Sequence, residues 1–105
     1  MKKQPYDQNT LVDLTEDQIE AYKKEYGEIF VIELDGKKCF LHKPNRQILD
    51  AANLQKKSSA FNETLLKNCW IAGDKEFVTH DEFFFPACKR LDELITFKDA
   101  ELKKL

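Results

Sequence analysis

Glycine is scarce in this chain: Gly27, Gly36 and Gly73 are the three among 105 residues. None stands in a pattern that wraps backbone amides around a phosphate, so nucleotide binding has no support. Cysteine is equally sparse and odd in number. Cys39, Cys69 and Cys88 are widely spaced, which suits free buried thiols in a reducing compartment better than a disulfide framework. No stretch approaches the roughly 20 apolar residues of a membrane span, and the opening MKKQPYDQNT has lysines with no apolar run behind them, so neither a span nor a secretory leader is expected. An excess of one charge is missing too. Lys and Arg are scattered among Asp and Glu at a net charge of −2, whereas a nucleic-acid binder concentrates its basic groups on one face. These absences point to a cytoplasmic protein that uses neither membrane nor nucleic acid as a partner.

What is present is the material of one globular domain. A hydrophobic share of 42% beside 34% charged residues provides a core and a solvated surface, and a chain of this length buries one core without disulfides or metal. The clearest local feature is Glu28–Pro44, EIFVIELDGKKCFLHKP. Asp35-Gly36 supplies the two positive φ angles of a type I′ turn, which predicts a β-hairpin with Leu34 opposite Lys37, Val31 opposite Phe40 and Ile29 opposite His42. Side chains alternate across a strand, so Phe30, Ile32, Leu34, Cys39 and Leu41 share one face, and Ile29, Val31, Glu33, Lys38, Phe40 and His42 the other. Both faces are largely apolar. A hairpin with its back to water would be polar on one side, so cover is expected on both, from helices or from another chain.

Helices are expected around it. Residues 1–13 read as a polar tail, free unless it docks, and residues 14–105 as a single domain. Thr15 and Gln18 make a capping box for a helix from Glu16 to about Tyr26, closed by Gly27, with Leu14 stapled to Ile19. Asn45 caps a helix to about Lys57, with Ile48, Leu49, Ala52 and Leu54 facing in. Ser59 begins a third, whose stripe of Phe61, Leu65, Cys69 and Ala72, with Leu66 and Trp70 alongside, predicts the core helix ending at Gly73. Asp74 to Val78 reads as a polar connection. Thr79 and Glu82 make a second capping box, and Pro86 predicts a short turn to Phe85 before a main helix, or one kinked helix. The helical period then runs through Leu91, Leu94, Ile95, Lys98 and Leu102 to Leu105. The fold class is α+β, one β-hairpin packed with about four helices.

Sites for chemistry are few. Cys39-x-x-His42 has a ligand-like spacing, and Cys69, His80 and Cys88 would complete a set. The pleat of the strand, however, sends Cys39 and His42 to opposite faces, leaving a buried thiol and a rim histidine. A Cys88 nucleophile would need His80 brought beside it as a base. No metal, cofactor or catalytic residue is therefore expected, and the protein reads as non-enzymatic. Apolar groups in excess of a small monomer's needs are the better lead: Ile29, Val31 and Phe40 on the second hairpin face, and Phe83, Phe84 and Phe85. Such groups mark protein partners when they are exposed.

A family pattern runs through the same region. It consists of the strand pair around Asp35-Gly36 ending at Lys43-Pro44, then Leu65-Leu66-x-x-Cys69-Trp70-x-x-Gly73-Asp74, the acidic-aromatic Asp81-Glu82-Phe83-Phe84, Leu94-Ile95, and the ending Glu101-Leu102-Lys103-Lys104-Leu105. On these residues Glu28–Leu105 resembles the small tail assembly chaperones of tailed phages and prophages. The resemblance implies a non-enzymatic protein without cofactor, which binds the tape-measure protein and helps recruit tail-tube protein in the host cytoplasm. Members of that family are often extended by ribosomal frameshifting near the end, where Lys103-Lys104 lies here. The alternative is a small regulatory or inhibitory protein-binding module of a mobile element. Because two strands leave two unpaired edges, a homo-oligomer is also open.

Overall fold

The computed structural model describes Tyr6 and residues 11–105. Its elements run α1 (Glu16–Tyr26), β1 (Ile29–Leu34), β2 (Lys37–His42), α2 (Arg46–Asn53), α3 (Ser58–Cys69), β3 (Trp70–Gly73), α4 (Glu76–Thr79) and α5 (Asp81–Leu94). The hairpin has the register expected from its turn, Leu34 opposite Lys37 through to Ile29 opposite His42. Asp35 and Gly36 take φ of 51° and 78°, the pair of positive angles a type I′ turn requires. Together the elements form one small α+β domain.

The hairpin does not stand alone. Trp70–Gly73, expected as the last turn of the core helix, is instead a strand that pairs antiparallel with β2, giving the sheet order β1-β2-β3. α3 passes into it without a loop, Trp70 switching to extended backbone at ψ 131°. Cys39 faces Gly73, Phe40 faces Ala72 and Leu41 faces Trp70, so Ile71 is an extra residue opposite the Phe40–Leu41 step. That bulge explains why the neighbours Ile71 and Ala72 join the same apolar cluster, where strict alternation would separate them. Gly73 is where the two backbones come closest: a Cβ there would lie 2.4 Å from the Cys39 Cα. Asp74 then locks the junction. Its N–H donates to the Lys38 carbonyl and its carboxylate accepts from the Lys38 N–H, both at 2.9 Å.

Cover lies on both faces of the sheet, as the apolar pattern requires. On one side Cys39 and Leu41 meet Leu65, Leu66 and Cys69 of α3, Phe77 of α4, and Phe84, Ala87, Leu91 and Leu94 of α5. On the other, Phe40, Ile71 and Ala72 cluster with Leu14 and with Tyr22 of α1. The α1 capping box forms as expected: Thr15 Oγ1 accepts from the Gln18 N–H and Gln18 Oε1 from the Thr15 N–H. Leu14 and Ile19 fall in the same small cluster. Part of the N-terminal segment docks. The Tyr6 N–H donates to the Lys67 carbonyl and its ring stands edge-on to Trp70 at 5.1 Å, while the Leu11 carbonyl accepts from Gly73. The rest of that expected tail, residues 1–5 and 7–10, lies outside the described residues.

Several element boundaries differ from the expectation. α2 ends at Asn53 and Leu54 is 80% exposed, because no core remains for it to reach. α3 starts at Ser58 with Lys57 in the N-cap position and no side-chain cap, so Ser59 is inside the helix. The expected polar connection holds a one-turn helix, α4, which drops Phe77 fully into the core. His80, not Thr79, is the N-cap of α5. The Thr79–Glu82 box is thus one residue out of register, and the Thr79 hydroxyl donates to the Lys75 carbonyl instead. α5 continues through Pro86. The proline forfeits one backbone bond to the Glu82 carbonyl, while Phe84, Ala87, Leu91 and Leu94 form a buried stripe at i, i+3, i+7 and i+10 that holds the helix to the sheet. After Leu94 the helix stops, and Leu102 and Leu105 are exposed. Lys98, Leu102 and Leu105 have no packed surface to support a further turn, and short unsupported helices are marginal in water.

Two substitutions test this account. Leu65→Ala, in the centre of the core helix, should lower unfolding free energy by about 2–5 kcal/mol. Gly73→Ala should cost at least about 3 kcal/mol, since overpacking and a positive φ act together; urea titration of both variants against the parent chain is the measurement.

Candidate protein-binding surface

The fold separates the six apolar side chains that the sequence offers for partner contact. Phe40 and Phe84 are buried, at 7% and 8% exposure, in the two apolar clusters. Ile29 is half-buried against the smaller apolar cluster, and Phe83 is half-buried with its ring in a T-shaped contact with Phe77 at 5.5 Å. Val31 and Phe85, at 47% and 55%, are open to solvent. The run of three phenylalanines is sorted by the turn of the helix: Phe84 points in, Phe83 lies at the boundary, and Phe85 points out. Val31 owes its exposure to its strand. It shares a face with Phe40, but β1 is the sheet edge while β2 is central.

A groove runs beside that edge, between β1 and α5. Phe30, Val31, Ile32 and Glu33 form one wall, and Arg90, Glu93 and Leu94 the other. Toward the turn it continues past Ile32, Leu34, Pro86 and Lys89. The hollow against Val31 holds about 260 Å³, less than the roughly 300–1,000 Å³ of small-molecule sites, and so is sized for a side chain. Arg90 and Glu93 pair at 3.4 Å on the outer rim, both well exposed, an arrangement worth little to stability. Sequence reasoning missed this wall of α5, because nothing local says which strand becomes the edge. It also missed the exposure of Phe97, Leu102 and Leu105. Phe97 lies under the Lys43 ammonium, 5.0 Å from its ring centre, and that ammonium donates to the Thr96 carbonyl at 2.7 Å.

The titratable candidates are dispersed. Cys39 lies in the main core, while His42, expected at a rim, is buried on the other face under Tyr26. The two rings stack at 4.2 Å with 6° between their planes, and His42 Nδ1 donates to the Lys43 carbonyl at 2.7 Å. His80 Nδ1 lies 2.7 Å from the Thr79 hydroxyl. Among the described residues, no group of three or more His, Cys, Asp or Glu is placed to hold a metal ion. Burial pushes the Cys39 thiol from 9.0 up to about 12 and that of Cys88 up to about 11, which suppresses the thiolate that nucleophilic chemistry needs.

The raised thiols set the sign of a pH effect. Above 9.0 the unfolded chain releases these protons while the folded chain keeps them, so stability present at neutral pH is lost as pH rises toward the folded values. Urea midpoints should therefore fall on passing from neutral pH to above 9.0, and a thiol reagent at neutral pH should react slowly with the folded chain and fast with the unfolded one. Equal rates would show the thiols to be accessible.

No family model, no curated protein and no solved structure matches this chain.

Proposed function

We propose that this chain is a non-catalytic protein-binding module that acts as a tail assembly chaperone, holding the tape-measure protein and the tail-tube protein during phage tail assembly in the host cytoplasm. The reading starts from the resemblance carried by Glu28–Leu105. The fold gives those residues a common job: the hairpin, Leu65–Asp74 and the buried members of α5 meet around β2, with Asp74 bonded to Lys38 and Gly73 set against Cys39. The shared pattern is then mostly a pattern of construction, and client contact falls to what is left outside the core.

One observation carries the reading. Large apolar side chains stay in solvent on α5 and on the segment that follows it, Phe85, Phe97, Leu102 and Leu105, although the domain has a complete core of its own. A chaperone that keeps a long apolar client soluble needs such groups on a charged, soluble body. Lys98, Lys103 and Lys104 interleave with Asp99 and Glu101 among them, which keeps the surface wettable. Proteins, rather than nucleic acid or membrane, are the proposed partners.

Co-expression with segments of a phage tape-measure protein provides the test. The parent chain should hold those segments in the soluble fraction. Phe85→Lys combined with Leu102→Lys should release them while leaving circular dichroism and melting temperature near the parent's, since both side chains are already exposed. Retention of the client by the doubly substituted chain would sink the reading.

A further inference from the structure

The two edges of the sheet are treated differently. At β3 the Gly73 N–H points outward and donates to the Leu11 carbonyl at 2.8 Å, so Leu11 occupies that side. Among the described residues, β1 has β2 as its single strand neighbour. With Leu34 and Lys37 closing the two-residue turn, Leu34, Ile32 and Phe30 exchange their backbone bonds with β2, and the N–H and C=O groups of Ile29, Val31 and Glu33 point away from it. Soluble proteins guard such an edge with proline, lysine, a bulge or a covering element. β1 reads Ile-Phe-Val-Ile-Glu-Leu, with a regular register and Glu33 as its one charge. At its middle, Val31 is half exposed.

We infer that β1 docks a second copy of this chain, edge to edge and antiparallel, about a two-fold axis at Val31, so that two three-stranded sheets become one continuous sheet. Charge selects the register. A centre at Glu33 sets that carboxylate against its own counterpart, and a centre at Ile32 places the two diagonally, both like-charge contacts on one face. Centres at Ile29 or Phe30 leave only the start of the strand overlapping. The centre at Val31 pairs Ile29–Glu33 in full, sets Val31 against Val31 and each Glu33 against Ile29 of the copy, and keeps the glutamates at opposite ends. On the groove side it sets Phe30 against Ile32 of the copy, extending the apolar face. The rim agrees: Arg90 and Glu93 flank the groove beside Val31, and a two-fold axis reverses their order, so a rim with one cation and one anion is complementary to itself. This pairing concerns the chain alone and stands or falls apart from the client reading.

Sedimentation and a cross-link test it together. In the proposed register the two Val31 Cα atoms form a bonded pair about 5.5 Å apart, within the roughly 4.4–6.8 Å that a disulfide spans. In a Cys88→Ser background, where Cys39 and Cys69 are buried, Val31→Cys should yield a covalent dimer on mild oxidation and Glu33→Cys should not. The parent chain should sediment as a dimer, and Val31→Lys as a monomer with unchanged circular dichroism. A parent chain that sediments as a monomer, or a Glu33→Cys chain that cross-links as readily as Val31→Cys, overturns the proposal. So does a monomer whose Val31 amide is shielded from hydrogen exchange only when a client is present, because the edge would then belong to the client's strand.

Discussion

The fold depends on the close approach of β2 and β3. The absence of a side chain at Gly73 lets that backbone come against the Cys39 Cα, and the reciprocal bonds between Asp74 and Lys38 fasten the end of the approach. Much else follows from this contact. It makes β2 central, buries Cys39 and Leu41 completely, and sets Trp70 where the Tyr6 ring meets it nearly at a right angle. It also turns the chain at Asp74, so that α4 can place Phe77 under the hairpin and α5 can run back along it. An isolated hairpin is marginal in water; a third strand and two faces of cover turn this one into a scaffold.

The parts legible in the sequence are those whose cause is local. The I′ turn is written in Asp35-Gly36, and with it all six pairs of the hairpin. The α1 cap is written in Thr15 and Gln18, and the apolar pattern on both hairpin faces correctly required two layers of cover. The hidden parts are those decided at a distance. Trp70–Gly73 continues the helical spacing of Leu65 and Cys69, and becomes a strand only because β2 lies ready to pair with it. Pro86 argues for a break when read alone, and loses to four buried side chains on the same helix. Phe77, one aromatic in a charged stretch, has no periodicity to announce it, though it is fully buried. In the opposite sense, Leu102 and Leu105 keep a helical period with nothing to pack on.

The titratable groups obey the same division. Cys39 and Cys88 are placed by packing, and burial is the main cause of the upward push on their thiols, with the Asp74 charge adding to it at Cys39, so they behave as small apolar side chains. His42 shows how far a local reading carries. The pleat correctly sets it on the face away from Cys39, but its burial comes from Tyr26, sixteen positions earlier, lying flat across the ring. The hydrogen bond from its Nδ1 to the neighbouring Lys43 carbonyl helps to accommodate an imidazole at the end of a strand and places the ring for stacking.

Val31 and Phe40 bring the candidate surface down to one physical distinction. They are directly opposite in the register and project from the same face, so alternation and hydrophobicity treat them alike. Their fates differ because cover on this face comes from Leu14, from Tyr22 of α1, and from the Ile71-Ala72 bulge of β3. The bulge reaches the central strand and not the outer one. Phe40 is sealed, and Val31 is left beside a row of backbone groups that have no strand to bond among the described residues. Apolar exposure and unpaired backbone thus coincide at one edge, whereas Phe85 and the residues after α5 are exposed as side chains alone, without a free strand beside them. A partner at Val31 is met by main-chain bonds and register, and a partner at Phe85 by apolar contact that tolerates many sequences. That difference suits the edge to the second copy we propose there, and the outer apolar groups to the client we propose for them.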